Sequence, residues 1–234
     1  MRTKWIQPAL LLAGLAAMCG TAAYAQTDVA GSLYETFTAT ANNNNGSIQS
    51  SSNAAGGLLE VRHIAKPWAG YEGTYAYNRA NQVYTYPHAC TAGLCPSAIP
   101  VPVNAHEVTG DWVASVKAGK IRPFALAGGG ILIDAPSVGQ VTFSYPTCSP
   151  MTLPPCVLTT GTASTNTSVK PVFVYGAGVD WKLLPHIGLR LQYRGNLYKA
   201  PYLTTLSTTY GITPSSYGAL TYTAEPMIGV YFRL

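Results

Sequence analysis

The residues able to do chemistry fall into three sets. The first is a series of charged residues spaced two or four apart: Glu60 and Arg62, Asp180 and Lys182, Arg190 and Arg194, with Glu72, Asp111, Lys117, Glu225 and Arg233 in similar surroundings. Such groups can pair with one another, line an ion path or exchange protons. The second set is histidine near acid or thiol: His106 beside Glu107, and His88 near Cys90. A histidine held by a carboxylate can act as a general base. No nucleophile stands at a fixed spacing from either, and no Gly-x-Ser-x-Gly turn is present, so no catalytic residue is assigned and the chain is read as a non-enzyme. The third set is Cys90, Cys95, Cys148 and Cys156. Zinc would ask for Cys-x-x-Cys spacing, and both "CTAGLC" and "CSPMTLPPC" are too wide, so no metal and no cofactor are expected.

The cysteines gain meaning from the start of the chain. Arg2 and Lys4 precede a ten-residue apolar run, Ala9 to Met18, which is too short to span a bilayer. Ala23-Tyr24-Ala25 follows, so residues 1–25 have the three-part form of a secretory signal with cleavage before Gln26. Cys19 is a weaker lipid-attachment site because Met18 precedes it. An exported chain with four remaining cysteines is expected to form disulfides, with three pairings open. Cys90–Cys95 and Cys148–Cys156 are favoured because each pair lies in one loop-like segment.

Residues 26–234 then form a single domain. Of the 14 basic and 9 acidic residues, two basic ones leave with the signal, and a net charge near +3 is too small and scattered for nucleic acid. Gly128–Gly130 lacks the Lys-Ser/Thr of a phosphate loop and sits inside a strand-like run, where glycines relieve crowding. Asn166–Ser168 matches a glycosylation sequon and Asn42–Asn45 is an asparagine run; both are read as plain loop.

The elements that must position these residues are strands. Apolar and polar residues alternate over long stretches, as in Leu189, Leu191 and Tyr193 against Arg190, Gln192 and Arg194. The alternation predicts eight strands near 29–40, 57–66, 68–80, 105–118, 121–134, 170–183, 187–200 and 217–234. Three connections are tight, at Lys66-Pro67-Trp68, Gly119-Lys120 and Leu184-Pro185-His186. The other four are long and polar or proline-rich. Short turns at one end and long loops at the other describe a transmembrane β-barrel with its turns and termini in the periplasm.

Charge decides which face meets lipid. Glu60, Glu72, Glu107, Asp111, Asp180 and Glu225 share rows with Arg62, Lys117, Lys182, Arg190, Arg194 and Arg233, whereas the opposite rows are apolar and aromatic. A charge on the lipid face costs about 2–4 kcal/mol at the midplane, so the charged rows are expected to point inward. Eight strands leave an interior that side chains just fill, so a balanced ion-pair plug is expected rather than an aqueous channel. Trp68, Trp112 and Trp181 suit the interfacial girdles. Pro226, inside the last strand, predicts a bulge or a local break. His63 falls on an outward row near the turn end and is read as interfacial and structural; His186 lies in a turn.

The segments "FVYGAGVDWKLLPHIGLRLQYRG" (173–195) and "IGVYFRL" (228–234) resemble the outer-membrane protein A-like family of eight-stranded outer-membrane β-barrels. The resemblance covers essentially all of 26–234. It implies an all-β, eight-stranded, antiparallel up-and-down transmembrane barrel in the outer membrane. It also implies that Ile228, Val230, Phe232 and Leu234 form a terminal signal for the barrel-assembly machinery, although the chain ends in Leu where the family has an aromatic residue. The peptidoglycan-binding domain that follows some family barrels has no counterpart after Leu234, so that role does not carry over. The expected protein is a monomer in contact with outer-membrane lipid and not with nucleic acid. Its expected role is structural or surface-interactive through the long loops, with an unidentified surface ligand. A small porin is the alternative role, and an enzyme acting on lipid A or peptide the more distant one.

Overall fold

The structure, a computed structural model, describes residues 26–42, 48–85, 98–148, 156–205 and 218–234, without the side chains of 145–148 and 156–159. The expected signal 1–25, His88, Cys90, Cys95 and Asn43–Asn45 lie outside the described residues.

Among the described residues thirteen strands follow one another: β1 Gln26–Thr38, β2 Ala41–Asn42, β3 Ile48–Ser51, β4 Ala54–Lys66, β5 Ala69–Thr85, β6 Ile99–Ser115, β7 Ile121–Pro136, β8 Gln140–Cys148, β9 Cys156–Thr165, β10 Ser168–Lys182, β11 Ile187–Lys199, β12 Thr204–Thr205 and β13 Leu220–Arg233. Eight of them close into an antiparallel barrel in the order β4-β1-β13-β11-β10-β7-β6-β5, with β5 returning to β4. Closure rests on β1, which pairs with β4 on one side and β13 on the other. Because the sheet closes, the barrel wall leaves no edge whose backbone groups would face lipid unpaired.

The three tight turns and both chain ends of the described fold gather at one end. At the β6–β7 turn, Ala118 and Ile121 exchange backbone hydrogen bonds of 2.8 and 3.0 Å around Gly119 and Lys120. Gly119 holds a φ of 63°, the left-handed conformation that lets a two-residue hairpin follow the strand twist. The other end is more elaborate than alternation predicts. β5 and β6 run past the barrel to Thr85 and from Ile99. β2 and β3 add to β5, and β8, β9 and β12 form a separate three-stranded sheet. Between these layers Tyr84, Ile99, Val101, Val103, Val141, Phe143, Ala163 and Leu203 make an apolar core that caps the outer mouth. Tyr84 ties it down: its hydroxyl donates to Pro201 O at 2.8 Å and accepts from Leu203 N at 3.2 Å.

Within the barrel the usual distribution is inverted. Leu33 is 72% exposed, Leu59 63% and Trp112 74%, and Ile228, Val230, Phe232 and Leu234 share that outward row. Arg190 and Arg194 are 0% exposed. Among the described residues no helix is long and apolar enough to cross a membrane; the crossing is made by strands whose outer face is apolar.

Pro226 produces a break without a bulge. The β1–β13 ladder pairs Tyr34 with Met227, lapses, and resumes at Phe37 with Ala224 in the same register. Proline has no N–H to give the ladder, so pairing is lost locally while the strand runs on. The one register shift in the barrel wall lies between Ile64 and Lys66, beside the β4–β5 turn.

Candidate functional site

The lumen holds the charged residues, and strand register determines who meets whom. Directly opposite positions run Arg233, Asp28, Arg62, Glu72 and Asp111 across β13, β1, β4, β5 and β6. Gly128 stands opposite Asp111 on β7. A Cβ at Gly128 would collide with the Asp111 carboxylate and the Gly110 carbonyl, so the glycine here makes room for a charged neighbour.

Arg190 and Arg194 are four residues apart on β11. They therefore project on the same face about 13 Å apart along the strand, and each anchors its own layer. In the first layer, Arg190 Nε and Nη2 donate to the two oxygens of Asp180 at 2.6 and 2.9 Å, and Nη1 donates to Glu60. Arg62 joins the same layer. Its Nε donates to Glu72 at 2.7 Å and stands 3.1 Å from Glu60, and its Nη1 reaches Asp180 at 3.4 Å. The Phe124 ring lies under both guanidiniums, 3.9 Å from Arg62 Cζ and 5.5 Å from Arg190 Cζ. In the second layer, Arg194 Nη2 donates to Glu107 at 3.0 Å and to Thr109 at 3.2 Å, and Asp111 lies 3.8 Å away. Asn196 Nδ2 donates to the other Glu107 oxygen at 2.8 Å. A third layer towards the outer mouth pairs Lys170 with Asp134 at 3.4 Å. Near the turn end, Arg233 Nε reaches Asp28 at 3.3 Å.

The expected lumen residues Glu60, Arg62, Glu72, Asp111, Asp180, Arg190, Arg194 and Glu225 are all buried inside the barrel, and Arg233 is half-buried at its mouth. Two expectations need correction. Lys117 and Lys182 sit on inward rows but are exposed, because the filled lumen ends before the turn end and their positions open to water. Nor is the interior balanced: eight of the chain's nine acidic side chains are buried, against four cations, Arg62, Lys170, Arg190 and Arg194. Glu225 illustrates the excess. It stands opposite Arg194 in register, yet its Oε2 has no hydrogen-bond partner. It borders a cavity of about 40 Å³ shared with Tyr34, Asn78, Glu107, Asp134 and Asn196, room for little more than a water.

Sequence reasoning assigned no lumen role to Asp28, Asp134, Lys170 or Arg122. Asp28 was legible in principle, since it opens the row Asp28, Ala30, Ser32, Tyr34 and Thr36, opposite Val29, Gly31, Leu33 and Phe37. Arg122 and Asp134 mark the inner row of β7, but between them both rows are apolar, so the contact that Phe124 makes was not legible.

The histidine sites separate. Glu107 points inward to Arg194, whereas His106 lies on the outer row, its Nδ1 2.9 Å from the Tyr75 hydroxyl and its ring 5.1 Å from that of Tyr77. The two side chains share no face, so they form no acid–base pair. His63 lies on the outer row 3.0 Å from the Thr27 hydroxyl and beside Tyr71. His186 Nδ1 is 3.2 Å from the Arg233 carbonyl. Cys148 and Cys156 are directly opposite in the β8–β9 ladder. Among the described residues, no cluster of three or more histidine, cysteine or acidic side chains is arranged to hold a metal ion.

No protein-family model matches the chain, and no curated protein matches it. Solved structures do. The outer membrane protein OprG of Pseudomonas aeruginosa superposes with a TM-score of 0.50 at 8% identity, over 89% of this chain and 95% of that one. The attachment invasion locus protein Ail of Yersinia pestis gives 0.46 at 13% identity, over 89% and 98%. Neisserial surface protein A gives 0.44 at 10% identity, over 88% and 96%. The likeness to OprG, at so low an identity, is one of fold: a small eight-stranded barrel of the outer membrane.

Proposed function

Taking the chain as what its fold makes it, an eight-stranded β-barrel of the outer membrane, we propose that it is a non-catalytic envelope protein. Its role is structural and surface-interactive, not that of a solute channel. One observation carries this reading: the lumen is filled. Two successive arginine-centred layers cross it, with Arg62, Arg190 and Arg194 essentially without solvent exposure, and an apolar cluster lies above them at the outer end. An ion crossing the barrel would have to displace guanidiniums from carboxylates that cannot rehydrate.

The outer surface supports the interactive half. Loops with no framework present no fixed shape, but here β8, β9 and β12 stand on the apolar cap. The exposed face of the β8–β9 hairpin carries Thr142, Ser144, Thr160, Thr162 and Ser164, a hydroxyl-rich and uncharged surface suited to contact by hydrogen bonding. The protein acts as a monomer in outer-membrane lipid, delivered there by the barrel-assembly machinery, and its surface ligand is unidentified.

Planar-bilayer recording tests the reading. Purified protein should give no resolved conductance steps. Steps that change in size or vanish in Arg190→Ala or Arg194→Ala would place an ion path in the lumen and overturn it. Turnover of lipid A or peptide that is lost in His106→Ala would overturn the non-catalytic part.

A further inference from the structure

The cations missing from the lumen are gathered elsewhere. The chain has eight acidic residues inside the barrel, and the ninth, Glu35, lies on β1 opposite Ala55, towards the outer loops. At the turn end stand Lys66, Lys117, Lys120, Arg122, Lys182 and Arg233. Five of these, all but Lys66, line one concavity of about 350 Å³ at the periplasmic mouth, within the size range of small-molecule sites. Leu183, Leu184 and Pro185 of the β10–β11 turn form its apolar wall, and Tyr231 lines it as well.

The carboxylates near this vestibule are already committed. Asp180, the acidic residue in its lining, gives both oxygens to Arg190. Asp28 accepts from Gln26 and Arg233. Lys117, Lys120 and Lys182 are all exposed, and no carboxylate lies within ion-pair distance of any of them among the described residues. Arg122 donates through Nη2 to Gln26 at 3.2 Å, while its Nη1 is buried without a partner. Like charges gathered in one concavity repel, and among the described residues only Asp28 and Asp180, both already paired with arginines, stand near them.

We propose that this periplasmic vestibule binds a phosphate group. Three lysine ammoniums and one half-free guanidinium, none neutralised, suit a ligand with several acceptor oxygens and up to two negative charges. Lysine meets phosphate as a point charge, and Arg122 adds a directional donor already oriented by Gln26. Two sources share this chemistry: the headgroup of an anionic phospholipid in the periplasmic leaflet, and a soluble phosphate of the periplasm. The proposal goes beyond the functional reading above and does not depend on whether the lumen conducts.

Titration calorimetry on the refolded protein in a maltoside detergent of low ionic strength tests it. One arm adds inorganic phosphate. A second adds mixed micelles containing phosphatidylglycerol, with phosphatidylcholine micelles as control. Saturable binding of inorganic phosphate identifies a soluble source; binding of phosphatidylglycerol micelles alone identifies the lipid headgroup. In either case the Lys117→Ala/Lys120→Ala/Lys182→Ala variant should lose about tenfold or more in affinity, since each charge-assisted contact is worth roughly that factor. Arg122→Gln should weaken binding separately. The lysines are exposed, so heat-modifiable gel migration should show the triple variant folded. No binding in either arm overturns the proposal, as does binding that the folded triple variant retains unchanged.

Discussion

Arg190→Ala probes the lumen most directly. Arg190 makes three donor contacts to two carboxylates and is wholly buried. Its loss leaves Asp180 Oδ1 with no donor, while Oδ2 keeps only Arg62 Nη1 at 3.4 Å and Glu60 keeps Arg62 Nε at 3.1 Å. The layer above is filled by Arg194 and its partners, so water can reach the vacated space only from the vestibule that Asp180 lines. Removing one partner from a buried pair costs about 3–5 kcal/mol, most of it the price of the stranded charge. With a urea dependence of about 2 kcal/mol per molar, the unfolding midpoint should fall by about 2 M. Urea unfolding and refolding in lipid vesicles, followed by tryptophan fluorescence and gel mobility, reads that shift in both directions. Lys182→Ala is the control; it is exposed at the mouth and should shift stability by no more than about 0.5 kcal/mol. The triple change Arg190→Met/Asp180→Asn/Glu60→Gln should recover much of the loss, since the stranded charges leave together. If Arg190→Ala falls as little as Lys182→Ala, the layer is hydrated and the filled-lumen argument fails.

Two further outcomes follow from the outer row and from the loop hairpin. Phe232→Asp, or deletion of the last three residues, should abolish insertion into the outer membrane, read as loss of the heat-modifiable folded band; normal insertion would show that the outward row Ile228, Val230, Phe232 and Leu234 is not an assembly signal. Cys148 and Cys156, opposite in the β8–β9 register, should form a disulfide in the exported protein, seen as one cross-linked peptide in non-reducing mass spectrometry and lost in Cys148→Ser. Free thiols at both positions would refute it.

The barrel was legible because its two faces meet two different solvents. Wherever one row is charged and the other apolar, as on β10 and β11, strand, face and partner could all be read from spacing. Legibility failed where that contrast failed. On β7 both rows are apolar between Arg122 and Asp134, so Phe124 gave no sign of lying under two guanidiniums. Above the membrane both faces of β5 and β6 meet protein or water, and neither the strand extensions nor the cap built on Tyr84 could be inferred. Lys117 and Lys182 were misplaced for a third reason: alternation gives a direction, not a depth. A row that points inward is buried only as far as the lumen is filled. The same error hid the charge imbalance, because counting the two lysines inside made the acids look matched.

The ionic layers also do something that alternation alone cannot. If β11 slipped by one residue against β10, Arg190 and Arg194 would face lipid, at about 2–4 kcal/mol each near the midplane. Alternation already forbids that slip. A slip of two residues restores the faces, and on hydrophobic pattern alone it would be nearly neutral. It would nevertheless carry Arg190 about 7 Å along the strand from Asp180, and the same slip against β13 would separate Arg194 from its layer. Each displaced guanidinium would leave a buried carboxylate unpaired, at several kcal/mol. The layers are therefore a poor source of net stability, given the cost of dehydrating their members, and a strong source of register. An apolar lumen would hold the strands as tightly but would tolerate the two-residue slip. On this argument the interior charges are retained because they allow one shear of the barrel.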